Sequence, residues 1–197
     1  MPVSQKSQLT QKLLILLLLY VDGPSRPAEP IPGKTRLMKT VFLFEREVRP
    51  HFWSEQPIVF PFEAYDFGPY SDGVFDAAAA LEALEMISTS PLSAGQELET
   101  DAEMPDDRLR EIEEGPEARD GGGDSEDVVY SITDRGKAFI DQRVRPGYGI
   151  TEAQWDALRR LKRRVLTASL RQLLRYVYSR YPELTEKSKI KGSLFAR

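Results

Sequence analysis

Basic side chains near the end of the chain are the residues best suited to contact an anionic partner. On a helix whose apolar positions include Trp155 and Leu158, closely spaced cations are expected to spread over the outer surface. Such a stripe contacts phosphates and releases counterions, which gives an affinity that depends on salt and not on base sequence. The alternative is a solvated helix face, partly neutralised by acidic residues of the same chain. The cations of this helix are Arg159, Arg160, Lys162, Arg163 and Arg164, and the following predicted helix adds Arg171 and Arg175.

Two earlier cations belong to the same predicted set, which is expected to bind nucleic acid or a protein partner. Arg36 and Lys39 fall in a predicted helix whose buried stripe is Leu37, Val41, Phe44 and Val48. We expect both cations on the outward side of that helix.

Residue types that support catalysis or metal binding are sparse. The chain has no cysteine and one histidine, His51, which excludes thiolate chemistry and a multi-histidine metal site. Because His51 is followed by Phe52 and Trp53, we expect it in an aromatic corner. Carboxylates concentrate in a segment with too few apolar residues to hold a catalytic pair at a fixed separation. We therefore expect no metal and no enzymatic activity.

The stretch from Ala28 to Thr35 matches a relaxed phosphate-binding loop pattern and precedes a helix. A phosphate cradle points successive backbone N–H groups at the anion, whereas Pro30 and Pro32 have none. The first glycine of the pattern is also missing. We expect a proline-rich turn into a helix, and no cofactor.

Charge is strongly segregated along the chain. Residues 97–127 contain fourteen acidic and three basic residues, a net charge of −11, whereas the whole chain carries only −4. Such a composition cannot bury enough apolar surface to offset its ordering entropy. We therefore expect a disordered acidic insertion at about 92–127, beside a basic remainder.

Hydrophobic periodicity predicts three helices in the first half of the chain, from near Thr10 to Gly23, over about 35–48 and over 71–86. The third has Ser71 as its cap and Val74, Ala78, Leu81 and Leu84 as its buried stripe. The aromatic stretch 52–70 is interrupted by three prolines and is expected as an edge strand or an extended loop.

The second half begins with a predicted strand. Residues 128–132 are expected to pair with 86–89 in a hairpin whose loop is the acidic insertion, and Thr133 or Asp134 caps the next helix. Two further helices follow residue 149. The fold class is therefore mostly α with a small β wing: a winged helix-turn-helix core over 1–143, and a basic C-terminal helical extension over 144–197 packed on the same core.

The third helix argues against sequence-specific DNA recognition. In a winged helix this element reads base edges, which requires Arg, Lys, Asn or Gln. Here its polar residues are Asp72, Asp76, Glu82 and Glu85. The predicted wing tip carries the −11 segment, which phosphates repel. If the protein contacts nucleic acid, we expect the contact to be made by the basic C-terminal helices.

Several motifs resemble those of a known family. Residues 33–43 and 65–71 resemble the paired GKTRLQKLVYL and YGPYS signatures of YwgA-like proteins and, more distantly, of the SocA-like or Panacea antitoxin domain. Residues 130–136 and 181–188 are similar to later segments of this group. The positions that carry the structural motif are Gly33, Phe67, Gly68, Pro69, Tyr70 and Ser71.

The resemblance implies a compact helical domain with a small wing, no established catalytic activity, and a role as an antitoxin, an adaptor or a component of mobile-element and phage-defence systems. The acidic insertion departs from the family pattern. The lack of cysteine fits a cytoplasmic location. The apolar run 13–21 is too short to span a membrane and is expected as a buried helix.

Two functions from different classes follow from these patterns. The first is a non-enzymatic interaction module that binds a toxin, a nuclease or a defence effector through the winged-helix body. The second is a DNA-associated protein that contacts backbone phosphates through its basic C-terminal helices. An acidic segment that serves as a tether, a decoy or an intramolecular competitor is compatible with the first.

Overall fold

The architecture is mostly helical, with two small antiparallel sheets, which confirms the predicted mostly-α class with a small β part. The structure is a computed structural model that describes residues 8–92, 128–188 and 194. Apart from residue 92, the predicted acidic insertion lies outside the described residues. The helices are α1 (Gln11–Tyr20), α2 (Lys34–Leu43), α3 (Asp72–Ala83), α4 (Asp134–Phe139), α5 (Glu152–Thr167) and α6 (Leu170–Arg180). The strands are β1 (Ile31–Pro32), β2 (Glu63–Tyr65), β3 (Gly68–Tyr70), β4 (Ile87–Pro91) and β5 (Val128–Ile132).

Two of these helices continue beyond their regular part through a wider turn. A π-helical turn, Phe44–Val48, extends α2 into a short helix, Arg49–Phe52. The turns Ile140–Val144 and Arg145–Gly147 extend α4 in the same way.

Helix α1 is the centre of the core, as its sequence predicts. Thr10 caps it by accepting a hydrogen bond from the backbone N–H of Leu13. Every residue from Leu13 to Leu19 is buried, because helices and sheet enclose the apolar run on all sides. None of the helices in the described part of the chain is long and apolar enough to cross a membrane.

The predicted hairpin is present as β4 and β5, with Ile87 opposite Ile132 and Pro91 opposite Val128. It gains a third strand, because β1 pairs with β5 and gives the order β1-β5-β4. The sequence analysis missed β1, since two residues that include a proline give no strand pattern. Gly33, with a φ of 83°, then donates its N–H to Val128 and begins α2.

The aromatic stretch after α2 forms a separate sheet instead of a strand of the first one. Its strands β2 and β3 pair around the turn at Asp66 and Phe67. The extended segment before them is held by Glu45, whose buried carboxylate accepts hydrogen bonds from the N–H groups of Val59 and Phe60. This anchoring explains an ordered stretch that lacks strand periodicity.

Helix α3 differs from its prediction at both ends. Ser71 occupies the cap position, but its backbone carbonyl, and not its hydroxyl, accepts the first hydrogen bond, from Val74. The helix ends at Ala83, and Glu85 adopts a φ of 57° as the chain turns into β4. Leu84 therefore leaves the predicted buried stripe and is 45% exposed.

The two C-terminal helices begin with the same device. Each starts with a capping box, in which two side chains accept hydrogen bonds from each other's backbone N–H groups. The pair is Thr151 and Gln154 in α5, and Ser169 and Gln172 in α6. The predicted inward residues of α5 are buried, and the hydrophobic core that contains α1 also contains residues of both C-terminal helices.

Candidate functional site

The predicted binding cations separate into an interior set and a surface set. Arg36, Lys39, Lys162 and Arg171 are buried, so their expected outward placement is wrong. Arg160, Arg163, Arg164 and Arg175 are exposed, and Arg159 is partly exposed. The difference arises because α2 is enclosed on all sides and because the inward face of α5 includes Lys162.

Lys162 binds the end of helix α1. Its ammonium nitrogen Nζ donates to the carbonyl oxygens of Leu19 at 2.9 Å and Val21 at 2.8 Å. Carbonyls at the end of a helix lack partners within the helix, and a cation there complements the helix dipole. Burial lowers the pKa of Lys162 to about 7, although the nearby Glu29 and Asp22 oppose the shift.

Arg36 binds the end of α5 in a similar way. One of its terminal nitrogens donates to the carbonyl oxygens of Val165 and, at 2.8 Å, of Ala168. A residue of α2 therefore completes the C-terminus of the helix on which Lys162 lies.

Lys39 joins the two motifs that carry the family resemblance. Its Nζ donates to the carbonyl oxygens of Phe67 and Pro69, both at 2.9 Å, and burial lowers its pKa to about 7. Gly68, between those two residues, has a φ of 84°, and a Cβ there would lie 2.9 Å from the ring of Tyr178. The turn between β2 and β3 is thus fixed from the interior.

Most of the surface cations already have a partner within the chain. Arg159 pairs with Asp156, while Arg163 and Arg175 donate to the carbonyl oxygens of Gly23 at 3.2 Å and Leu194 at 2.7 Å. Among the described residues, Arg160 has no hydrogen-bond or ion-pair partner. The exposed charge of α5 and α6 is therefore smaller than their composition predicts.

Arg164 belongs to a cluster that the sequence analysis missed. Its guanidinium bonds Glu47 at 2.5 Å and lies 5.4 Å from the ring centre of Tyr176. Glu47 also accepts hydrogen bonds from the hydroxyls of Tyr176 at 2.7 Å and Tyr181 at 3.0 Å. No sequence spacing indicates this cluster, because Glu47 is more than a hundred residues from its partners.

The pKa values of the cluster reflect these bonds. Burial would raise the pKa of Glu47, but the hydrogen bonds from Tyr176, Arg164 and Tyr181 outweigh it and lower the pKa below its usual value. Burial and the neighbouring carboxylate raise the pKa of both tyrosines. The cluster is thus an ionised carboxylate held by neutral phenols and a guanidinium.

On another surface, the β2–β3 hairpin presents aromatic rings. The rings of Tyr65 and Tyr70 are stacked, with their centres 5.0 Å apart and their planes at 27°. The ring of Phe75, in the first half of α3, lies 6.2 Å from that of Tyr70. We refer to Tyr65, Tyr70 and Phe75 as the aromatic platform; Tyr65 is 37% exposed and the other two are half-buried.

The outward face of α3 continues this surface. Its exposed residues are Asp72, Asp76, Ala79, Glu82 and Ala83. The carboxylate of Glu82 accepts hydrogen bonds from the N–H and the hydroxyl of Thr89 in β4. The face offers carboxylates and methyl groups, and no side chain that reads bases.

An open cavity of about 340 Å³ lies beside Arg159. On its wall, the hydroxyl of Tyr20 donates to Asp141 at 2.6 Å and accepts from Arg145 at 3.1 Å. Arg145 also lies 4.8 Å from the ring centre of Trp155. These polar groups are thus already paired with one another.

His51 is exposed, while Trp53 is buried against Phe44 with the ring centres 5.3 Å apart. Within the part of the chain that the structure describes, no three His, Cys, Asp or Glu side chains are grouped closely enough to hold a metal ion.

Comparison of the chain with protein-family models, with curated proteins and with solved structures finds no match in any of the three. The resemblance to YwgA-like proteins stays a prediction.

Proposed function

We propose that this protein is a non-enzymatic interaction module, in which a winged helix-turn-helix body binds a protein partner in the manner of an antitoxin or of an accessory protein of a defence system. The winged-helix interpretation is supported by the order α1, β1, α2, α3, β4, β5 and by the pairing of β1 with β5. The remaining helices extend the same core.

The observation that carries the proposal is the outward face of α3. A winged helix that binds DNA inserts this face into the major groove, where Arg, Lys, Asn or Gln side chains contact base edges. Here Asp72, Asp76 and Glu82 occupy the exposed positions together with alanines. Carboxylates repel phosphates, whereas a surface of methyl groups and carboxylates is compatible with binding a protein.

A salt titration of duplex DNA binding tests the proposal. We expect the whole chain to show no saturable binding to a random 25-base-pair duplex below about 100 μM at physiological salt, which is the weak limit of non-specific binding. A stoichiometric protein should co-purify with the chain from its native source. Tight duplex binding with a steep salt dependence, and no co-purifying protein, would contradict the proposal.

The second candidate, contact with backbone phosphates, is favoured by the exposure of Arg160, Arg163, Arg164 and Arg175. It predicts binding that weakens about 10³-fold or more between 50 and 200 mM salt if six phosphates are neutralised. Measurement of duplex binding by a variant that lacks residues 97–127 distinguishes the two proposed functions further. Binding by this variant alone would identify the acidic segment as an intramolecular competitor.

A further inference from the structure

The surface formed by the β2–β3 hairpin and α3 combines one exposed and two half-buried aromatic rings with negative charge. From Glu63 to Glu85 the chain contains six acidic residues and neither lysine nor arginine. The aromatic platform lies within this range. Ring faces carry negative electrostatic potential, so rings and carboxylates together attract a cation.

The strand register brings the two kinds of group to one face. Glu63 is directly opposite Tyr70, so their side chains project to the same side of the sheet. Tyr65, two residues after Glu63, projects to that side as well and stacks on Tyr70. Glu63 and Tyr65 are both exposed.

Helix α3 supplies the other edge of the surface. Phe75 is the platform residue that this helix contributes, and its ring lies beside that of Tyr70. The exposed Asp72 lies three residues before Phe75, and the exposed Asp76 follows it directly. Residues three apart on a helix are neighbours on its surface, so Asp72 lies near Phe75. Carboxylates therefore border the rings on both the hairpin and the helix.

The platform is held rigidly from the interior. Lys39 fixes the carbonyls of Phe67 and Pro69, on either side of Gly68, and the ring of Tyr178 packs beneath that glycine. A surface that is already ordered loses little conformational entropy on binding. The buried cation thus supports the conformation in which the rings are presented.

We propose that the aromatic platform binds an arginine-bearing segment of a protein partner. The proposal rests on the proposed function, since it names the surface and the chemistry by which a partner is recognised. A guanidinium stacks flat on a tyrosine ring and at the same time forms paired hydrogen bonds with a carboxylate. Lysine offers a compact, strongly hydrated charge that does neither as well, so the platform discriminates between the two cations.

An NMR titration of the ¹⁵N-labelled full chain tests the site directly. The probe is acetylated, amidated triarginine, and the matched probe is trilysine of equal charge. We expect saturable shifts at Tyr65, Tyr70 and Asp72 with triarginine, and at least threefold weaker binding there with trilysine. Shifts confined to residues 97–127, or equal binding of both peptides at the platform, would overturn the proposal.

Substitutions then separate stacking from charge. Tyr65→Ala should weaken triarginine binding at the platform at least fivefold, whereas Tyr65→Phe should retain it. Tyr176→Ala is the matched control, because Tyr176 has similar exposure and lies on α6, outside the platform. If Tyr65→Ala disturbs the fold, Glu63→Gln with Asp72→Asn replaces it, and unchanged binding by this pair would contradict the proposal.

The two proposals fail in different ways. If a partner co-purifies with the chain and binds Tyr65→Ala as tightly as the wild type, the platform is not its site, and the interaction module stands. If the chain binds duplex DNA and no protein, the proposed function fails, whatever the peptides do.

Discussion

Helix α5 carries two kinds of positive charge within one turn. Lys162 is fully buried and bound to two backbone carbonyls at the end of α1, whereas its neighbours Arg163 and Arg164 are exposed. Arg36 and Lys39, on α2, repeat the interior arrangement at the end of α5 and at the β2–β3 turn. We call Arg36, Lys39 and Lys162 the interior cations, and we call Arg160, Arg163, Arg164 and Arg175 the surface arginines.

The contrast shows that a count of charges does not measure a binding surface. Each interior cation donates hydrogen bonds to backbone carbonyls at the end of a helix or in a turn, so its side chain serves the fold. The surface arginines have carboxylates, carbonyls or solvent around them, and their charge is accessible to salt and to other molecules. Substitutions in the two sets should therefore differ in size, in pH dependence and in salt dependence.

Removal of the Lys162 side chain should have the largest effect. Lys162→Ala leaves a cavity and two unsatisfied carbonyls at the end of α1, which together lower the free energy of unfolding by about 3–5 kcal/mol. Urea denaturation followed by circular dichroism measures this change. Arg160→Ala, on the same helix, is the matched control. Equal stability of the two variants would mean that Lys162 does not support α1.

The interior lysines should also make stability depend on pH. Burial lowers the pKa of both Lys39 and Lys162 from 10.5 to about 7, so between these values the unfolded chain binds more protons than the folded chain. Stability therefore rises with pH across this window, and the gain is lost as the pH falls to about 7. The largest slope is about 1.4 kcal/mol per pH unit for each lysine.

Urea denaturation at several pH values between 7.5 and 9.5 tests this dependence. In Lys39→Met the slope should fall by about half, because one of the two titrating groups is removed. Burial raises the pKa of Tyr178 to about 12, so its titration lies above the window. A flat wild-type profile would show that both lysines keep their usual pKa.

The helices were predictable because burial of an apolar stripe determines them. Thr10 caps α1 as predicted, Thr133, one of the two predicted candidates, caps α4, and the inward residues of α5 follow helical spacing. The tertiary neighbours of each helix were not predictable from periodicity. Helix α2 is an example: its cations suggested an exposed side, but the helix is enclosed on all sides.

The position of Lys162 on its helix indicates burial, but the cluster of cations around it in the sequence suggested an exposed face instead. At 100° per residue, Lys162 lies about 20° from Trp155 and about 40° from Leu158 around the helix axis, which places it between these two residues and within the inward stripe. The Glu47 cluster and the aromatic platform had no such signal. The cluster depends on contacts of α6 with the turn after α2, which is far away in the sequence. The platform depends on how the hairpin packs against α3, which follows it directly in the chain, and no periodicity indicates that packing.

The Glu47 cluster stands between the two sets, because it is polar and only partly exposed. Glu47→Gln removes the negative charge that Arg164 and two tyrosines bind, and should lower the free energy of unfolding by about 1–2 kcal/mol. The pKa of Tyr176 and Tyr181 should also fall, since burial then remains as the principal cause of their raised values. Absorbance at 295 nm during alkaline titration measures the change. Glu186→Gln, an exposed carboxylate, should leave the titration unchanged.

The surface arginines should give the smallest effects, and salt should distinguish them from the interior set. Arg164→Ala removes one ion pair and one stacking contact and should lower the free energy of unfolding by about 0.5–1 kcal/mol, whereas Arg160→Ala should change it by less than about 0.5 kcal/mol. In 1 M NaCl the Debye length falls to about 3 Å, so the Arg164 effect should shrink while that of Lys162→Ala persists. Urea denaturation at low and high salt measures both. If the Lys162 effect declines with salt as the Arg164 effect does, solvent reaches the interior cation, and the distinction between the two sets fails.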